Sequence, residues 1–237
     1  MIYMIKRYLK ALKDIFFPAL CFSCERRINQ DYLCEDCFEK IEFLYPPLCK
    51  LCSAPIKDNK TGLCKDCRGG HSFYERVISV TSYKEPIPLL IHLFKYNHFD
   101  YIGEFLAFLM VDHLLKIGFG FSNYDFITCV PLHPAKERER DYNQSSIISK
   151  ILSLHFKIPF KDDIIYQTRY HKSQTRLSKE KRKRNIKGSF EVKKDLKDEK
   201  IILVDDVFTT GSTVKECAKV LKEKGAKSIT VLTLSKA

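Results

Sequence analysis

Two adjacent acids, Asp205 and Asp206, stand just before a run of small hydroxyl residues around one glycine: Thr209, Thr210, Gly211, Ser212 and Thr213. Paired carboxylates suit sugar hydroxyls, or a metal ion carried on a polyphosphate. Hydroxyls and free backbone N–H groups at a helix start suit a phosphate. The competing structural reading is an ordinary helix cap beside solvated acids. A second set of chemical residues is thiol. Cys21 and Cys24, Cys34 and Cys37, Cys49 and Cys52, Cys64 and Cys67 form four C-x2-C pairs. Each pair is a knuckle that can present two thiolates to one ion, and eight thiolates fill two tetrahedral Zn2+ sites. Sequential pairing would place Cys21, Cys24, Cys34 and Cys37 on one ion and Cys49, Cys52, Cys64 and Cys67 on the other. Spacing leaves that arrangement and a cross-braced one open. Four thiolates per ion leave no position for a reacting water, so the zinc is structural. The ribbon around it is then either scaffold or a contact surface for nucleic acid or a partner.

The elements around these residues follow from pattern. Ile201 to Val204 is a continuous apolar run, which predicts a strand buried on both faces, with the two acids following at its end. Val214, Cys217, Ala218 and Leu221 recur at helical spacing, and Gly225 stands where a helix would stop. The stretch is therefore strand, loop, helix. It has no glycine–lysine pair, which excludes a Walker-type loop. Further strands are expected at Val77–Tyr83, Tyr124–Val130 and Ile229–Leu234, and Leu89–Leu115 is apolar at helical intervals. Asn143 can cap a helix over Gln144–Leu154. Together these predict an α/β sandwich with a largely parallel sheet, whose ligands bind at the carboxyl ends of its strands. Cys129 reads as a core residue rather than a nucleophile. His92, His98 and His113 lack metal-like spacing and read as structural.

The chain has 237 residues, 45% of them hydrophobic, and a formal net charge of +12. That balance favours acidic partners: nucleic acid, an anionic membrane surface or a phosphorylated ligand. No stretch is apolar and long enough to span a bilayer. Lys6, Arg7, Lys10, Lys13 and Asp14 interrupt any signal-peptide core, and cysteines without a secretion signal point to metal, so a cytoplasmic protein is expected. Ile2, Ile5, Leu9, Leu12 and Phe16 give residues 1–17 an amphipathic helical pattern, either a membrane-surface helix or one packed on its own domain. Arg169 to Phe190 is the most basic stretch. Its Lys181, Arg182, Lys183 and Arg184 could meet a nucleic-acid backbone, and Tyr166, Tyr170 and Phe190 could either stack on bases or pack.

The stretch IILVDDVFTTGST resembles the phosphoribosyl pyrophosphate (PRPP) signature of type I phosphoribosyltransferases. Phe208 within it, the four cysteine pairs, the segment Leu93-Phe94-Lys95-Tyr96, the loop at Pro131 and the run Arg140-Asp141-Tyr142-Asn143-Gln144 resemble the ComF (competence ComFC) branch. The resemblance implies three parts: a helix over residues 1–17, a double zinc ribbon over 18–70 and a transferase-like domain over 71–237. It implies that Asp205 and Asp206 hold the ribose hydroxyls. Val207, Thr209, Thr210, Gly211, Ser212 and Thr213 would hold the 5-phosphate, with Mg2+ on the PRPP. Lys95, Pro131, Leu132, Arg140 and Arg182 would approach the pyrophosphate. Lys95 reads on its own as either such a lysine or a surface one, and Arg140 as either a ligand contact or part of a capped helix start. Asp141 replaces the glycine usual in this branch. The implied role is in DNA uptake, handling entering single-stranded DNA at the inner face of the membrane, beside the membrane or the translocation machinery. The alternative is an active transferase that releases pyrophosphate onto an unidentified acceptor. No cysteine nucleophile stands at the N-terminus, which speaks against amide transfer from glutamine.

Overall fold

A computed structural model describes residues 19–29, 32–57, 60–97, 99–170 and 186–237. The helix expected over residues 1–17, His98, and the basic residues Lys181, Arg182, Lys183 and Arg184 lie outside the described residues.

The elements run in order as a one-turn helix α1 (Glu35–Phe38), β1 (Arg76–Ser82), α2 (Ile87–Tyr96), α3 (Tyr101–Lys116), β2 (Phe126–Cys129), α4 (Pro134–Arg140), α5 (Gln144–Phe156), β3 (Ile165–Gln167), β4 (Phe190–Val192), β5 (Lys200–Phe208), α6 (Ser212–Glu223) and β6 (Ser228–Lys236). Four strands form one parallel sheet in the order β1-β6-β5-β2. Parallel neighbours need crossovers, and the intervening helices supply them while covering both faces. Side chains alternate across the sheet as strand geometry requires. Ile202, Val204, Leu232 and Leu234 join one core with α2, α3 and α5. Ile201, Leu203, Ile229 and Val231 join the other with α6 and the β3–β4 pair.

Two expectations need correction. The central strand does not end at Val204. β5 continues through both acids to Phe208, because β6 keeps pairing with it: Asp205 lies opposite Thr233 and Phe208 opposite Lys236. The antiparallel pair β3–β4 was not foreseen; each strand has three residues, too few to show an alternating pattern. It settles Phe190, which is buried in the second core and packs rather than stacks on a base. The apolar region Leu89–Leu115 resolves into α2 and α3. They approach closely because Gly103 has no side chain; a Cβ there would lie 2.6 Å from the Phe94 ring. No helix among the described residues is long and apolar enough to cross a membrane.

The cysteine-rich segment is joined to the sheet by its backbone. Val77 N–H donates to Lys50 O at 2.7 Å, Leu44 N–H to Val80 O at 2.9 Å and Ser82 N–H to Glu42 O at 2.9 Å. The buried Ser53 hydroxyl donates to Val77 O at 2.8 Å and accepts from Ser79 N–H at 2.9 Å. These bonds run along the outer edge of β1, whose unpaired groups would otherwise invite aggregation. Near this junction His113 is buried against Phe43 and Tyr45.

Candidate functional site

The strand-end acids are held from two directions. On one side Lys95, near the end of α2, forms an ion pair with Asp206 through Nζ and Oδ2. Both side chains are largely shielded, at 22% and 10% exposure, so this is a buried pair rather than a surface one. On the other side the Ser145 hydroxyl, in the first turn of α5, donates to Asp205 Oδ1 at 3.2 Å, and the Asp206 backbone N–H donates to the same oxygen at 2.9 Å. Burial, with the neighbouring Asp206 charge, pushes the Asp205 carboxyl up to about 7; Lys95 and these two donors oppose the shift. Burial works against the Lys95 ammonium, but Asp206 and Asp205 more than offset it and hold its pKa above the ordinary value. Two acids thus share one lysine, leaving a site with spare negative character at the carboxyl end of the sheet.

Lys95 is positioned by the run Arg140–Gln144. Tyr142 Oη donates to Phe94 O at 2.6 Å, one residue before Lys95. Gln144 Nε2 reaches the same carbonyl at 3.5 Å and accepts at Oε1 from Arg140 Nη1 at 3.2 Å. The Arg140 guanidinium lies 5.0 Å over the Tyr96 ring, beside Lys95. Asn143 caps α5 as expected: Oδ1 accepts from Ser145 N–H at 3.0 Å, while Nδ2 donates to Val130 O at 3.1 Å. The chain can turn into this arrangement because Asp141 adopts φ 64°, ψ −13°, the left-handed conformation that a glycine would take at no steric cost. The departure from glycine therefore preserves the turn. Arg140 thus braces the helix start, and its charge lies near enough to Lys95 to oppose that ammonium.

The hydroxyl loop follows β5 directly. Gly211 is held at φ 70°, and a Cβ there would lie 2.5 Å from Phe208 Cζ, so the position demands glycine on two counts. Thr210 Oγ1 and Ser212 Oγ lie 2.8 Å apart, and α6 begins at Ser212. Thr209 is exposed, Thr210, Ser212 and Thr213 are half-buried, and Val207 is half-buried on the strand behind them. Pro131 and Leu132 line a neighbouring cavity of about 300 Å³ with Asn143, Glu137, Asp162 and Tyr166. Cys129, at its back, is buried and its thiol is pushed up to about 12, mainly by burial, in keeping with a core residue.

The structure brings together Asp205, Asp206 and Lys95. It adds Ser145 to the acids, a residue that sequence reasoning saw only as part of a helix. It also gives Tyr142 and Gln144 a bracing role; the signal for them was their place in a recognisable run, without an assigned partner.

The cysteines form two separate groups. Cys21, Cys24, Cys34 and Cys37 converge in one, and Cys49, Cys52, Cys64 and Cys67 in the other, with the ligand atoms of each group within 4.8 Å of one another. The pairing is sequential. A tetrahedral zinc with Zn–S bonds of about 2.3 Å requires sulfurs about 3.8 Å apart. Cys24 and Cys34 are 3.6 Å apart, and Cys52 and Cys64 are 3.7 Å apart. Thiols this close fit a shared Zn2+. Burial opposes ionisation of Cys21 and Cys49, yet the backbone N–H groups of Cys34, Cys24 and Ser23 bring Cys21 down to about 6, and those of Cys64 and Leu51 bring Cys49 down to about 7. Burial pushes Cys37 and Cys52 up to about 12 and about 11, so a cation is needed to hold all the thiolates.

Comparison with known proteins agrees with both halves. Residues 12–68 match the double zinc ribbon domain and residues 143–236 the phosphoribosyl transferase domain. Competence protein F of Haemophilus influenzae is 28% identical over 235 residues, covering 94% of this chain and 99% of that protein. Competence protein ComFC of Streptococcus pneumoniae is 24% identical, covering 88% of this chain and 89% of that protein. DNA utilization protein YhgH of Escherichia coli O157:H7 is 30% identical over 221 residues, covering 92% of this chain and 96% of that protein. Matched along nearly its whole length to these relatives, and carrying the two domains in this order, the chain belongs to the ComF family of competence proteins.

Proposed function

We propose that this protein binds PRPP with Mg2+ at the end of β5 and acts in DNA uptake, handling incoming single-stranded DNA on the cytoplasmic side. The observation that carries the PRPP reading is the buried set Lys95–Asp206–Asp205–Ser145 leading directly into the loop at Thr209–Thr213. Asp205 and Asp206 accept from the ribose hydroxyls, while the loop hydroxyls and the first N–H groups of α6 take the 5-phosphate. Lys95, with Arg140 nearby, faces the pyrophosphate side, where Pro131 and Leu132 offer backbone contacts. The acids fit Mg2+ only in part, since Asp206 is already engaged by Lys95; Asp205 would help hold an ion brought with PRPP, which would offset pyrophosphate charge. The relatives' names, competence and DNA utilization proteins, support the DNA role, as does the net charge of +12. Lys181, Arg182, Lys183 and Arg184 are the residues proposed to meet the DNA backbone.

A second reading, an active transferase, is favoured by the cavity beside Asn143. An acceptor seated there would form its bond to C1 of PRPP as the C1–pyrophosphate bond breaks, losing a proton to solvent or to a neighbouring carboxylate.

A naturally transformable host whose own homologue is replaced by this gene tests the DNA role. Asp205→Asn/Asp206→Asn is expected to lower transformation frequency at least tenfold while DNA binding at the cell surface is unchanged. Wild-type transformation in that variant would remove the PRPP site from the role. The transferase reading is read separately, as pyrophosphate released from PRPP with bases, amines or oligonucleotides as acceptors; no release with any of them counts against it.

A further inference from the structure

A second cavity, of about 330 Å³, lies away from the acid site, where the second cysteine group meets β1 and the end of α3. Its wall is apolar: Pro47, Leu48, Ile78, Ile117 and Phe119. His113 lines it as well, with 1% of its surface exposed and Nδ1 lacking any hydrogen-bond partner among the described residues. Buried ring nitrogens are nearly always paired, so an unpaired one beside a cavity calls for a ligand or a water. The ring is flanked by Phe43 at 5.9 Å and Tyr45 at 4.9 Å between centroids, which fixes it in place. Two cationic side chains, Lys50 and Arg76, stand exposed at the rim, and the Arg76 guanidinium sits 5.0 Å over the Phe119 ring.

An apolar wall, one unmet hydrogen-bonding nitrogen and a cationic rim suit a heteroaromatic ligand with an anionic tail. We propose that this cavity is a second ligand site, taking a mononucleotide whose base packs against the apolar wall and hydrogen-bonds to His113 while its phosphate meets Lys50 and Arg76. A volume of about 330 Å³ lies at the lower end of small-ligand cavities, room for a single nucleotide. The slot is made jointly by the zinc-binding segment and the sheet, through Cys49 and Lys50 on one side and Arg76–Ile78 on the other. Occupancy would therefore report on, and stabilise, the junction between them.

The test uses the full-length, zinc-loaded protein and calorimetric titration with AMP, UMP and inorganic phosphate. Saturable binding of AMP or UMP, at least tenfold tighter than phosphate, is expected. Lys50→Glu/Arg76→Glu, which reverses the charge of the rim, should weaken it at least tenfold, and Ile117→Trp, which fills the cavity, should abolish it. Asp205→Asn/Asp206→Asn should leave it within twofold. Absence of binding by both nucleotides would overturn the proposal. So would binding that survives both rim and slot variants, or binding lost with the two acids, which would place the nucleotide in the β5 site instead. Should Ile117→Trp fail to fold, the rim variant alone decides.

Discussion

The cysteine groups and the acid pair solve opposite problems with crowded anions. In each ribbon four thiols gather within 4.8 Å; Arg26 lends positive charge to Cys24 and Cys34 but is exposed and paired with Asp36, so the counter-charge that closes the group must be a metal. At the end of β5, two carboxylates gather and the chain supplies Lys95, which balances one of them. A fully compensated and coordinatively closed centre can only hold structure. A half-compensated centre at an open strand end retains appetite for hydroxyls and cations. That difference separates scaffold from site more sharply than the residue types do.

The largest effect should come from breaking the closed side. Zinc removal by a chelator, or Cys49→Ser with Cys64→Ser, takes away most of the folding energy of a segment with little core, on the order of 10 kcal/mol for a structural zinc. The loss should extend to the sheet, because Leu44, Glu42 and Lys50 pair with the edge of β1. Thermal unfolding with metal analysis checks it: two zinc per chain, and a midpoint falling by more than ten degrees on chelation. A ribbon that melts without disturbing the main transition would mean the junction is weaker than its hydrogen bonds indicate.

Next comes the counter-charge. Lys95→Met leaves Asp206 buried without its partner and should cost about 3 kcal/mol in denaturant unfolding at pH 8. The deficit should shrink at low pH, where the acids take up protons. An equal cost at every pH would point to lost packing instead.

Gly211→Val tests the loop. A β-branched side chain at φ 70° meets the Phe208 ring, and destabilisation of about 2 kcal/mol is expected, with PRPP affinity falling more than tenfold. Unchanged affinity would detach the loop from phosphate binding.

The smallest effect has an unusual sign. The Asp205 carboxyl is raised by folding to about 7, from 3.8. Its cost to the folded state is therefore fully present above pH 7 and is relieved as pH falls towards 4. Asp205→Asn should stabilise the protein at pH 8 by about 1 kcal/mol, and flatten the pH dependence between 5 and 8. A destabilised variant would show that Ser145 and the Asp206 N–H gain more from the charge than burial takes away.

How much of this could be read beforehand depended on sequence distance. Strand, acids, hydroxyl loop and helix are contiguous, so their order was legible, and only the reach of β5 past the acids was missed, since that is set by its partner β6. The zinc ligands were legible as pairs, but the choice between sequential and crossed pairing required three dimensions. Lys95 was legible through the resemblance as a lysine near the site, but its pairing with Asp206 was not, and Ser145 was opaque: these contacts exist only across the fold, one from the end of α2, the other from the start of α5, both meeting acids on β5. Asp141 was half-legible. The run marked it as standing where the branch has a glycine, but the backbone angle was needed to show that aspartate adopts the glycine's conformation.

Central to the proposed function is a live PRPP site at the half-compensated acids. The direct measurement is calorimetric titration of PRPP with Mg2+ into the zinc-loaded protein and into Asp205→Asn/Asp206→Asn. Saturable one-to-one binding that disappears in the variant is the expected result. A folded, zinc-loaded wild-type protein that takes up no PRPP, or a variant that binds it equally well, would contradict the account.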